Sequence, residues 1–329
     1  MFKIITYNLI FLFFLFFLFE LILKSYFPRV HGGVYYNFDN NIKTIPSLPD
    51  PYILKKNKKF IHKSNEFNSI VTSTDYGNRV SNEIDVAKTL LFIGDSFTYG
   101  HGVSDNETFA YLYCTFKKIR CVNLGKPGTD QGSQFEILKT YLNNVNVEIY
   151  NIKLFLFISC NLNTSGNDIM ANLKRYNENF NMPSQEASSK KQISSFNISS
   201  LIHLSKNLIY KSEILKRISS IFISQLKSNL QSCSDINDLD KAFSATKFYI
   251  DKITEMAKMN NATIKLFAIL PYYELQNASS KVLMDNYLKP ENLNISIINN
   301  LLPDHYYKFD GHLNKIGHKK IHDYLLKNN

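Results

Sequence analysis

Four short stretches of this chain hold residues whose types and spacing could carry out acyl chemistry. Ser96 lies in Gly94-Asp95-Ser96-Phe97-Thr98-Tyr99-Gly100, directly after the apolar run Thr89–Ile93. A serine where a strand gives way to loop and helix points its Oγ out of the C-terminal edge of the sheet, where open α/β sheets bind ligands. The helix N-terminus that follows offers free N–H groups to an oxyanion; the same place is also an ordinary N-cap for serine. The second stretch, Asn123-Leu124-Gly125-Lys126-Pro127-Gly128-Thr129, again follows a strand-like run. A glycine there lets backbone approach a substrate and donate an N–H, or simply makes a turn. The third, Ser159-Cys160-Asn161-Leu162-Asn163, puts an asparagine side chain at the same kind of edge. The fourth is Phe309-Asp310-Gly311-His312-Leu313-Asn314. An Asp and a His two apart on a loop can pair, the carboxylate fixing the imidazole tautomer and stabilising the imidazolium. Asp304 with His305 is an alternative pair, His101 is a pocket-lining candidate, and His318 and His322 read as packing or solvated residues of a terminal helix.

The elements that must position these residues are legible as predominantly apolar runs. Thr89–Ile93, Ile119–Leu124, Ile152–Ser159 and Ile264–Leu270 each lack the alternation of a half-exposed strand. That is the pattern of parallel strands covered on both faces. Helical stretches, Phe109–Lys118 and Gln134–Leu142, separate the first three runs. The repeat predicts a three-layer α/β/α, doubly wound parallel sheet with right-handed crossovers. Residues 165–245 break the rhythm and read as a helical insertion with a polar stretch inside it. Residues 66–86 predict a short β segment and a turn at Asp75-Tyr76-Gly77, and residues 28–65, rich in turn formers, a linker and lead-in.

Of the 329 residues, 44% are apolar and 20% charged, which excludes disordered, collagen-like and coiled-coil classes. Four Cys without a CxxC pair exclude a disulfide-built scaffold and argue against a Cys-based zinc site. Cys114 and Cys121 could bridge or could be buried thiols. The net charge of +10 comes from scattered basic residues without a recognition motif, so no nucleic-acid partner is expected. Leu9–Phe19 is apolar throughout and, with its flanks, approaches the ~20 residues that span a bilayer. No small-x-small cleavage site follows, so residues 1–27 are expected to be an uncleaved signal anchor rather than a cleaved signal peptide. That makes a single-pass membrane protein with its folded domain, residues 66–329, on the extracytoplasmic side.

Taken together and in this order, GDSFTYG at 94–100, NLGKPG at 123–128, the Asn after the third strand and DGHLN at 310–314 resemble the SGNH/GDSL hydrolase family. The resemblance runs from about residue 70 to the C-terminus, and Thr74–Arg79 resembles the lead-in strand of membrane-anchored members. It implies that Ser96 is the nucleophile, His312 the general base and then acid, and Asp310 the residue that orients it. It implies an oxyanion hole made of the Ser96 and Gly128 N–H groups and the Asn161 side chain. No metal and no organic cofactor is implied. The family's third block usually reads Gly-x-Asn-Asp or Gly-Asn-Asp, so Asn163 stands as the alternative donor. Many members space the Asp and His as DxxH; the DxH here resembles membrane-linked, polysaccharide-modifying members. The expected activity is that of a serine esterase or O-acyltransferase working through an acyl-serine intermediate. By analogy with anchored members, its substrate is an O-acylated carbohydrate or cell-surface glycan. The alternatives are a lipase or thioesterase on membrane-proximal lipid esters, and a non-catalytic glycan-binding or assembly protein that keeps the fold.

Overall fold

The strands alternate two kinds of apolar side chain that go to opposite faces of one sheet. In β5 (Lys88–Ile93), Leu90 and Phe92 join one buried cluster and Leu91 and Ile93 the other. In β7 (Glu148–Phe157), Ile152, Leu154 and Leu156 face one way and Phe155 the other; in β8 (Thr263–Ile269), Leu266 and Ala268 oppose Phe267 and Ile269. Both faces are therefore dry, as a covered parallel sheet requires. The computed structural model describes residues 2–26, 34–37, 43–44, 57–81, 88–157, 169–180, 239–269, 295–308 and 310–328. The chain divides into two units, Met1–Val30 with Pro183–Gln231, and His31–Met182 with Ser232–Asn329.

In the larger unit five parallel strands run in the order β6-β5-β7-β8-β9, with β6 at Arg120–Asn123 and β9 at Ile295–Ile298. The strand β9 was not expected from the sequence; at four residues between Asn-rich segments it is too short to carry a pattern. On one face α3 (Phe109–Lys117) and α7 (Lys315–Lys327) contribute Phe109, Tyr113, Ile321 and Leu325. On the other lie α4 (Gln131–Asn144), α5 (Ile169–Asn179) and α6 (Leu239–Met259), through Leu138, Leu173, Phe243 and Ile253. The described ends of the expected insertion at 165–245 thus belong to the core layer: α5 and α6 carry apolar faces that cover the sheet. Residues 181–238, including the polar stretch, lie outside the described residues.

Nor is 28–65 only a linker. It supplies β1 (Val34–Asn37), β2 (Lys43–Thr44) and β3 (Lys59–Lys63), which join β4 (Asn68–Thr72) in a second, antiparallel sheet of order β2-β1-β3-β4. In β3 and β4, Phe60, His62, Ser69 and Val71 point inward and their neighbours outward. One polar member in each inward pattern, His62 in β3 and Ser69 in β4, concealed this alternation in the sequence. Cys114 and Cys121 form a disulfide that ties α3 to β6.

In the smaller unit, α1 is one continuous helix, Phe2–Tyr26. The large apolar side chains from Phe11 to Phe19 are exposed, and Glu20 is buried. Its side chains are described at 6–8 and 11–22. Among the described residues no helix is long and apolar enough to cross a membrane, so the expected anchor finds no support there.

Lys153 gives a first testable consequence of this packing. It stands in the middle of β7 between Phe92 and Lys265, fully buried, with Nζ 5.1 Å from the ring of Tyr113 and 5.4 Å from that of Phe267. Burial, reinforced by the charges of Lys265 and Lys117, lowers it to about 7. The unfolded chain keeps this proton up to about pH 10.5. Between those limits the unfolded state binds more protons, so stability rises with pH. Urea denaturation at pH 7, 8 and 9 should show a rise approaching ~1.4 kcal/mol per pH unit from this group. Lys153→Met should remove the slope and be at least as stable at pH 7. A slope unchanged in that variant would contradict this account.

Candidate active site

Ser96 is the first residue of α2 (Ser96–Tyr99), three residues beyond the end of β5. The turn between them is tight. A Cβ on Gly94 would run into Thr98 Oγ1 and come within 3.0 Å of the Phe155 carbonyl, so only glycine fits there. Asp95 caps the helix, its carboxylate accepting the Phe97 N–H at 3.0 Å. Burial pushes Asp95 up to about 6, against the pull of that N–H and of nearby His312. The carbonyl of Ser96 accepts the N–H groups of Gly100 and His101, both at 3.1 Å. With its backbone fixed in this way, Ser96 holds its half-buried side chain at the edge of the sheet.

His312 comes to meet it from the far end of the chain. Residues 306–313 form a closed loop: Tyr306 bridges Leu313, and the Tyr307 N–H donates to the His312 carbonyl at 2.8 Å. Asn314 locks this loop to α7. Its Oδ1 accepts the Ile316 and Gly317 N–H groups, and its Nδ2 donates to the carbonyls of Asp304 and Tyr306. Gly311, at φ +81°, bends the chain so that the side chains on either side of it can touch. The result is a continuous chain of hydrogen bonds. Asp310 Oδ1 lies 2.5 Å from His312 Nδ1, and His312 Nε2 lies 2.8 Å from Ser96 Oγ. Burial alone would raise Asp310, but the hydrogen bond and charge of His312, with His101 close by, hold its carboxyl well below the usual range. An ionised carboxylate on one ring nitrogen leaves the other free to take the serine proton.

Gly128 lies in the loop after β6, at φ +73°. That loop is fastened beside Ser96: the Lys126 N–H donates to the Gly94 carbonyl at 3.0 Å, and Thr129 Oγ1 to the Lys126 carbonyl at 2.7 Å. Asn123, fully buried, ties the loop to α2, its Nδ2 on the Thr98 carbonyl and its Oδ1 on the Gly125 N–H. Among the described residues the N–H groups of Ser96 and Gly128 have no acceptor. Asn161 and Asn163 lie outside the described residues.

The alternative pair does other work. His305 Nδ1 accepts the Leu302 N–H at 2.9 Å, and its Nε2 stays 3.8 Å from Asp304. His318 is buried against Phe109, whose N–H it accepts, and burial lowers it to about 3, so it stays neutral. His322 packs edge-on to Phe116. Among the described residues, the group whose spacing could hold a metal ion is His101, Asp310 and His312, with ligand atoms within 4.8 Å of one another. Both ring nitrogens of His312 are already engaged, by Ser96 and Asp310.

Two supports of the site have no separate signal in the sequence. Glu66, in the β3–β4 turn, accepts the Asp310 N–H at 2.7 Å. Arg79, fully buried, donates to the carbonyls of Tyr99, Gly100 and Val103 and to Asp105. A lone Glu between strands or a lone Arg after a turn reads as a solvated charge; only the partners reveal otherwise.

The site is thus a Ser–His–Asp hydrogen-bonded chain at the C-terminal edge of a parallel α/β sheet. No family model matches the chain, and no curated protein does. Among solved structures it is similar to a G-D-S-L family protein from Desulfitobacterium hafniense, at 13% identity and a TM-score of 0.38, over 72% of this chain and 97% of that one. It is similar to the psychrotrophic esterase EstA from Pseudoalteromonas sp., at 12% identity and a TM-score of 0.39, over 73% and 94%. A member of the lipolytic protein G-D-S-L family from Veillonella parvula shows 11% identity and a TM-score of 0.29, over 73% and 97%. At such values the reading of the site rests on its own geometry.

Proposed function

We propose that this chain is a serine ester hydrolase or acyltransferase of the SGNH/GDSL type, working through an acyl-serine intermediate. The observation that carries the reading is the relay itself: Ser96 Oγ to His312 Nε2 at 2.8 Å, and His312 Nδ1 to Asp310 at 2.5 Å. Ser96 Oγ attacks the ester carbonyl carbon as its proton passes to His312 Nε2. The tetrahedral intermediate places its negative oxygen against the N–H groups of Ser96 and Gly128. When the intermediate collapses, the C–O bond to the alcohol breaks and His312 returns the proton to the leaving oxygen. Water, or the hydroxyl of an acceptor, then gives its proton to His312 and attacks the acyl-serine; as the acyl–Oγ bond breaks, His312 returns that proton to Ser96 Oγ and the free serine is restored.

The substrate in this reading is an O-acylated carbohydrate of the cell surface, and the chain sits at the extracytoplasmic side of a membrane through α1. The Cys114–Cys121 disulfide supports the extracytoplasmic side, since disulfides persist in oxidising compartments. Labelling by a fluorophosphonate probe tests the chemistry, and membrane fractionation tests the placement. The acids released from a series of esters separate the substrate classes: acetate fits the glycan reading, long-chain acids the lipid one. A protein that neither labels nor turns over any ester would be a binding protein that has kept the fold.

The third oxyanion donor in this reading is Asn161. Asn161→Ala should lower kcat by roughly 10²–10³, the usual cost of one such donor, and Asn163→Ala should change it little. Kinetics of the two variants, each checked for folding by circular dichroism, decides between them. A damaged Asn163→Ala with an intact Asn161→Ala would reverse the assignment.

A further inference from the structure

His101 follows α2 and lies against both Asp310 and His312. Its Nε2 is 3.6 Å from Asp310 Oδ2, the carboxylate oxygen that His312 Nδ1 does not take. Its ring stacks on that of His312, centroids 4.2 Å apart and planes 28° from parallel. On its other side His62 meets it edge-on at 4.5 Å and Phe67 at 5.5 Å. It is buried, and its Nε2 has no hydrogen-bond partner among the described residues. A buried polar nitrogen without a partner is costly. The acceptor it faces is only about half an ångström beyond hydrogen-bonding distance.

We propose that His101 is a positioning residue of the relay, its Nε2–H serving the second oxygen of Asp310 and its uncharged ring backing His312. This inference rests on the serine-hydrolase reading of the site. A catalytic hydrogen bond that is long in the free protein commonly tightens when the reacting groups are engaged. Closure here would hold the carboxylate in the plane where Oδ1 meets His312. It would also spread the carboxylate charge over two donors, so Asp310 pulls less strongly on the His312 proton. Burial, with the charge of His312 next, lowers His101 to about 4, which keeps its ring neutral at higher pH. A neutral ring can lie against an imidazolium where a charged one would repel it. The other charged or titratable groups around this cluster are His62 of β3, Glu66 on the Asp310 N–H, Arg79 with Asp105, Tyr307 of the 306–313 loop, and Asp95 beneath His312.

The test separates donor from ring. His101→Phe keeps an aromatic ring and removes the donor; His101→Leu removes both; His101→Gln keeps a donor. The His312 ring is followed by NMR in the full-length, histidine-labelled protein in detergent, with and without Ser96→Ala. The acid limb of kcat/KM for an acetyl ester is followed in the chains that retain Ser96. In the Phe and Leu variants both midpoints should move up by about one pH unit. That is a loss of about tenfold on the acid side, with recovery at higher pH. His101→Gln should hold both near the wild-type position. Wild-type midpoints in the Phe and Leu variants, or a Gln variant displaced as far as they are, would overturn the proposal. The NMR titration needs no turnover. A wild-type chain that fails to hydrolyse esters while its His312 midpoint still follows His101 would defeat the hydrolase reading alone.

Discussion

Ser96→Ala should abolish fluorophosphonate labelling and lower ester turnover by on the order of 10⁴ or more, the scale on which losing a nucleophile registers. The fold should survive. Ser96 Oγ is bonded to His312 Nε2, at a half-buried position, and the cap of α2 is made by Asp95, not by Ser96. The stability change should therefore stay within ~1 kcal/mol, the size of one hydrogen bond. Asp310→Asn is the companion variant. It preserves shape but presents the wrong hydrogen-bonding partner to His312 Nδ1, a change that can cost ~10⁴ in kcat. Both are read by steady-state kinetics beside a denaturation curve. Unchanged turnover in folded Ser96→Ala would rule out the acyl-serine mechanism.

The second large effect concerns stability. Arg79 arrives from the turn after β4, and its guanidinium serves four acceptors. It donates to the Tyr99 carbonyl at 3.0 Å, to those of Gly100 and Val103 at 2.5 Å, and to Asp105 Oδ1 at 2.8 Å. Its flat face lies over the Tyr99 ring at 5.2 Å. Asp105 in turn accepts the Thr72 N–H at 2.9 Å, joining the 104–107 turn to β4. Arg79→Met would fill the space and leave three carbonyls and a carboxylate without their donor. Breaking one side of a buried ion pair costs about 3–5 kcal/mol. Arg79→Lys should recover little, because a single ammonium cannot reach acceptors arranged around a planar fork. Urea denaturation of the two variants measures this. Turnover should fall as well, because the carbonyls Arg79 holds belong to the segment that ends α2 and carries His101. A loss below 1 kcal/mol in Arg79→Met would show that the segment holds itself.

Glu66 and Arg79 also show where the sequence stops being informative. Each is an ordinary charged residue in a polar neighbourhood of the chain. Each acquires its role from a partner far away in sequence: Glu66 from the N–H of Asp310, Arg79 from carbonyls 20 to 24 residues on. The same holds for His101. Its proximity to Ser96 is evident from the chain, but its stacking on His312 depends on a loop more than 200 residues later.

What the sequence by itself determined is what local patterning can encode. Four of the five parallel strands were legible because a strand covered on both faces is apolar at most of its positions, and that run is visible without knowing its neighbours. Ser96 and Gly128 stood out as candidates because each lies in a turn that follows a strand-like run, and Asp310 and His312 because they are two residues apart on one loop. The antiparallel sheet over 34–72 was not, because its inward positions include His62 and Ser69, whose burial depends on cross-strand partners. The core role of α5 and α6 was hidden in the same way, since an amphipathic face does not say what it covers. Tertiary structure alone decided that the relay closes. A hydrogen bond of 2.8 Å between Ser96 and His312 is set by two loops brought together across the sheet. Sub-ångström placement of that kind comes from packing and from hydrogen bonds such as those of buried Arg79 and Asn123 and of half-buried Asn314, none of which acts through sequence neighbours alone.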